Sequence, residues 1–112
     1  MSVPPFDIAE EDWAIVRDIL HRHVSDYTVW AFGSRAKRTA RRFSDLDLAI
    51  ITDTPLLFDV GGALGEDFSD SDLPFRVDIL DWATTSEAFR RRVEQDKVVI
   101  QPARPDSARS RG

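Results

Sequence analysis

A chain of 112 residues, 42% hydrophobic and 31% charged, has the make-up of one ordinary globular domain with length for a single core. A formal net charge of -5 argues against a general polyanion binder, which needs a broad basic face, so direct nucleic-acid binding is not expected. The absence of cysteine excludes disulfides and thiolate metal sites, and no apolar run nears membrane-spanning length, so a cytoplasmic protein with no membrane partner is expected.

In chain order, "DIAEEDWAIVRDILHRHV" (7–24) predicts an amphipathic helix, with Trp13, Val16, Leu20 and Val24 at helical spacing. Asp7 is its expected N-cap, with Glu10 completing the pattern three residues on. "YTVWAF" (27–32) is rich in β-branched and aromatic residues and predicts a strand; after Gly33 and Ser34, "RAKRTA" (35–40) predicts a short helix. "LDLAIIT" (46–52) is a second strand, apolar enough for a buried place in a sheet. "LLFDVGGALGEDF" (56–68) reads as either a helix interrupted by Gly61 and Gly62 or a loop. "FRVDILD" (75–81) predicts a third strand. A capping pattern at Thr84 and Glu87 opens a helix to about Asp96, with Phe89 and Val93 toward the core. "KVVIQ" (97–101) is a last strand, closing a domain over 1–102, and residues 103–112 lack apolar periodicity and are expected to be a disordered tail. The order α-β-α-β-(α)-β-α-β is that of a mixed α/β sheet domain.

The stretch "FGSRAKRTARRFSDLDLAI" (32–50) concentrates the chemistry. Gly33 lets the chain turn sharply after a strand and present free N–H groups, an arrangement suited to phosphate, and Ser34 adds a hydroxyl donor beside them. Asp45 and Asp47, two apart at the start of a strand, put their carboxylates on one face. Two carboxylates side by side repel unless a divalent cation neutralises them, and an oxygen ligand set of this kind suits Mg²⁺. Asp78, in mid-strand, completes a three-carboxylate site if its strand neighbours 46–52. Of the cationic cluster Arg35, Lys37, Arg38, Arg41 and Arg42, most read as a solvated face, with Arg35, beside Ser34, the one expected at the phosphates. His21 and His23 are two apart on a helix and make a poor metal pair. "EDFSDSD" (66–72) lacks Ca²⁺-loop spacing and suits turn and capping roles, Asp81 suits a strand end, and Trp13, Trp30 and Trp82 suit the core.

Gly-Ser, a ten-residue spacer and Asp-x-Asp, as in "GSRAKRTARRFSDLDLAI", resemble the signature of the nucleotidyltransferase superfamily that includes polymerase β. With "VDILDW" and "FRRRVEQDKVVI" further on, the chain from about Tyr27 to Gln101 looks most like the minimal nucleotidyltransferases, the antitoxin halves of HEPN/MNT toxin–antitoxin pairs. The resemblance implies the polymerase β-like fold, a mixed sheet flanked by helices. It implies nucleotide-phosphate binding by Gly33 and Ser34, Mg²⁺ binding by Asp45 and Asp47, and Asp78 as third carboxylate, serving two metal ions or acting as general base. Arg38 stands where the family usually has glycine. The activity implied is Mg²⁺-dependent transfer of AMP from ATP to a hydroxyl, a tyrosine's by expectation, of a partner HEPN ribonuclease toxin, which is thereby silenced. Two other readings stand beside it: an antitoxin that acts by binding alone, and a nucleotidyltransferase acting on a small molecule.

Overall fold

The computed structural model describes residue 4 and residues 6–103, so the expected tail lies almost wholly outside the described residues. Along the chain run α1 (Glu10–Val24), β1 (Thr28–Phe32), β2 (Leu46–Ile51), α2 (Phe58–Asp70), β3 (Val77–Asp81), a 3₁₀ turn (Trp82–Thr84), α3 (Glu87–Asp96) and β4 (Val98–Gln101). The strands form one mixed sheet in the order β3-β2-β1-β4, antiparallel except for the parallel pair β2–β3. The parallel pair is possible because α2 carries the chain back between its strands. No helix among the described residues is long and apolar enough to cross a membrane.

Strand alternation sorts the side chains. Val29 and Ala31 of β1 and Leu46, Leu48 and Ile50 of β2 are buried against Trp13, Val16, Leu20 and Val24 of α1 and Leu64 and Phe68 of α2. On the other face Trp30 meets Trp82 edge-on at 5.0 Å, and α3 packs Val93 inward. The core therefore lies on the α1/α2 side, and the α3 side is more thinly covered.

The ambiguous segment is a helix. Val60, Leu64 and Phe68 recur every fourth residue toward the core, and burying a large apolar side chain is worth roughly 1.5–3 kcal/mol. Three such gains outweigh about 1 kcal/mol lost at each of Gly61, Gly62 and Gly65. The acid-rich end of this helix does serve turn and ion-pair roles: Ser71 caps α2 through Phe68, and Asp67 holds His23 at 2.6 Å and Arg22 at 3.1 Å across to α1.

Four local expectations are corrected. Asp7 does not cap α1; the N-cap is Ala9, and Asp7 is instead tied to Arg35, donating its N–H to the Arg35 carbonyl and accepting from Arg35 Nη1. Residues 35–40 form turns rather than a helix, closed by Lys37 N–H to Gly33 O and Thr39 N–H to Ser34 O. Ser86, not Thr84, caps α3, accepting from the Phe89 N–H, because Asp81 draws Thr84 into the 3₁₀ turn. Val93 faces the core as expected, but Phe89 is 40% exposed.

Candidate active site

β1 ends at Phe32, and Gly33 turns the chain at φ 78°. The antiparallel register sets Phe32 opposite Asp47, and the parallel register sets Asp47 opposite Asp78. Paired residues on neighbouring strands lie about 5 Å apart, so one row across the sheet brings the Gly33 turn, Asp47 and Asp78 together. A Cβ on Gly33 would collide with the Asp47 carboxylate and would sit on a strained positive φ, so a side chain here would push that acid from its place.

The row opens into a cleft of about 580 Å³ on the α3 side, lined by Gly33, Ser34, Asp47 and Asp78. Asp47 is half-buried there, and its carboxyl is pushed up to about 6, first by burial, then by the negative charges of Asp78 and Asp45. Asp47 thus feels the negative charge of both neighbouring acids. Asp45, just ahead of β2, is exposed and does not line the cleft. Asp78, although in mid-strand, is not buried: its side chain is 51% exposed, with Arg76 at 3.5 Å. Among the described residues no group of three acidic, histidine or cysteine side chains is gathered closely enough to hold a metal ion by itself. The donor set fits Mg²⁺ all the same, since that ion takes one or two carboxylates and completes its shell with water and substrate phosphates.

Arg35 is not at this site, contrary to expectation. Its side chain is buried, donates to the carbonyls of Ser44, Asp7 and Arg42, and lies 4.0 Å from the Phe75 ring centroid. Two of those carbonyls belong to the 35–44 loop itself and one to Asp7, so the guanidinium ties the loop to itself and to the segment ahead of α1, and Arg35 does not line the cleft. The cations that do line it are Lys37, paired with Asp96 at 3.9 Å, and Arg92. Sequence reasoning missed Arg92 and Phe89, yet both follow from α3 once Val93 is known to point inward: 89, 92, 93 and 96 share one helical face. Asp81 does more than end a strand, since its carboxylate accepts from Thr52 Oγ1, Leu56 N–H and Ala83 N–H and fastens β3 to the start of α2.

Residues 16–104 match the family described as "Polymerase beta, Nucleotidyltransferase". The chain belongs to that family. Over 100 residues, 89% of this chain and 88% of the relative, the nucleotidyltransferase is 58% identical to a Haemophilus influenzae protein named "Probable protein adenylyltransferase MntA". It also shares its fold with a crystal structure of a toxin–antitoxin with AMP-PNP, at TM-score 0.68 and 20% identity, covering 87% of this chain and 78% of that one. A Shewanella oneidensis complex of a tri-AMPylated HEPN toxin with its MNT antitoxin superposes at TM-score 0.63 and 17% identity, covering 88% of this chain and 76% of the other. The mixed sheet is therefore the polymerase β-like nucleotidyltransferase fold.

Proposed function

We propose that this nucleotidyltransferase moves AMP from ATP, with Mg²⁺, to a hydroxyl of a HEPN-type toxin partner, and that the modification silences the toxin. The observation that carries the reading is the register pairing of Asp47 with Asp78 beside the Gly33 turn, where a side chain would collide with the Asp47 carboxylate. The relative named as a protein adenylyltransferase, alike over nearly its whole length, supports protein as the acceptor.

In this reading Asp47, with Asp45 or Asp78 beside it, would hold the metal, which would supply charge neutralisation at the triphosphate. The N–H groups of the Gly33–Ser34 turn and the Ser34 hydroxyl bind the phosphates, and Lys37 adds positive charge beside them. The acceptor oxygen forms a bond to the α-phosphorus as the bond to the β-phosphate bridging oxygen breaks, and pyrophosphate departs. Asp78, half exposed at the cleft, is the carboxylate open to the hydroxyl proton of the acceptor. Positioning and electrostatics carry most of the acceleration.

Asp47→Asn tests the reading. Asn keeps the shape and one oxygen but loses the charge, so AMP transfer to a co-expressed HEPN partner falls by at least about a hundredfold. Complex formation is expected to persist. The mass of the partner rises by one or more adenylyl groups only with the wild type and Mg²⁺-ATP. Equal neutralisation by both proteins with no mass change in either means inhibition by docking, and the enzymatic reading is then wrong.

A further inference from the structure

α3 carries the run Arg90-Arg91-Arg92, and the three arginines have different surroundings. Arg90 donates twice to the Trp82 carbonyl and lies over the Trp82 ring, and Arg91 pairs with Glu87 one turn back. Arg92 has no hydrogen-bond or ion-pair partner among the described residues, yet it lines the cleft that holds Asp47 and Asp78. A guanidinium left free beside two carboxylates without pairing to either is placed for an anion brought from outside.

Phe89, one turn earlier on the same face, also lines the cleft. Its ring sits edge-on to Phe32 at 6.0 Å and 82°, and 40% of the residue remains open to water. The edge contact fixes the ring while leaving it accessible. Phe32 in turn directly precedes Gly33, so the aromatic pair adjoins the turn assigned to the phosphates.

We propose that the cleft face of α3 recognises the nucleotide, its base stacking on Phe89 and its phosphate chain reaching Arg92. This assignment rests on the nucleotidyltransferase reading above and adds to it which part of the substrate each side chain meets. A flat π-surface accepts any base, so the platform supplies affinity for a nucleoside over bare polyphosphate more than a choice among bases.

Binding of Mg²⁺-ATP and of Mg²⁺-tripolyphosphate to purified protein, followed by calorimetry, tests the assignment without needing a partner. Phe89→Leu keeps apolar bulk over Phe32 and is expected to weaken ATP by about fivefold while leaving tripolyphosphate unchanged, and Phe89→Tyr restores ATP binding. Arg92→Gln is expected to weaken both ligands by about tenfold. ATP binding by Phe89→Leu equal to wild type overturns the stacking assignment, as does an equal loss of both ligands. Arg92→Gln with wild-type affinities overturns the phosphate contact. A wild type that binds neither ligand defeats the nucleotidyltransferase reading itself, an outcome distinct from a failure of the α3 variants alone.

Discussion

Gly33 and Arg38 bracket the turn that leaves β1, both with positive φ, at 78° and 60°. At Gly33 the conformation and the Asp47 contact both demand glycine, whereas Arg38 occupies the left-handed region with a side chain on it. That region costs an L-residue on the order of 1–2 kcal/mol, while glycine loses about 0.5–1 kcal/mol more chain entropy on folding. The first effect is larger, so Arg38→Gly is expected to stabilise the fold by about 0.5–1 kcal/mol, read as a higher urea midpoint at unchanged slope. A lower midpoint would mean that the arginine side chain makes a compensating contact. Arg35 shows the opposite case at the same scale: its place in the sequence, next to Ser34, suggests phosphate, but its three carbonyl acceptors make it a brace.

At the scale of elements, α2 is held by its apolar stripe against the preference of its own glycines. An added Cβ at Gly61, Gly62 or Gly65 would meet no atom within 4 Å, so nothing inside the described fold requires glycine there. Gly61→Ala and Gly65→Ala are each expected to raise stability by about 0.5–1 kcal/mol in chemical denaturation; destabilisation by either would show that the helix is strained at that position. The same opposition made this element illegible in the sequence as helix or loop. α1, α3 and the four strands were legible because periodicity and burial agree in them, as Trp13, Val16, Leu20 and Val24 illustrate. The caps were not: α1 starts two residues beyond the position at which Asp7 could cap it, with the Asp7 backbone bonded to Arg35, and the Thr84 hydroxyl is taken by the Asp81 carbonyl, partners that a local pattern does not contain. At the site, Gly33, Ser34, Asp47 and Asp78 could be picked out by residue type and spacing, and the structure brings these four to one cleft. The exposed positions of Asp45 and Asp78 and the arrival of Arg92 and Phe89 depend on how β3 and α3 pack, which spacing does not encode.

Across the whole molecule, two carboxylates give the acid stability opposite slopes. Asp67 is held below its ordinary value, first by the hydrogen bond to His23 and with further help from Arg22, so its contribution is present above about pH 4 and is lost as the pH falls through its lowered value. Asp47 is raised from 3.8 to about 6 by burial and by its neighbouring acids. The folded state therefore holds a proton on Asp47 that the unfolded chain has released, and stability declines as the pH rises from about 4 to about 6. Because water still reaches this half-buried carboxylate, the decline is expected to be on the order of 1 kcal/mol, well below the ~3 kcal/mol of full conversion. Other groups titrate in the same interval, so the contribution of Asp47 is isolated by difference. Urea unfolding of metal-free wild type and Asp47→Asn, at matched pH values between 4 and 6.5, is expected to show the stability difference between them moving in favour of Asn as the pH rises. A constant difference across that interval would mean that Asp47 ionises as an ordinary surface acid, raised neither by burial nor by its acidic neighbours. Burial and the repulsion of Asp78 and Asp45 both disfavour the charged form of Asp47, and a bound cation would relieve that repulsion, so the pH comparison examines the electrostatics of the cleft independently of any turnover.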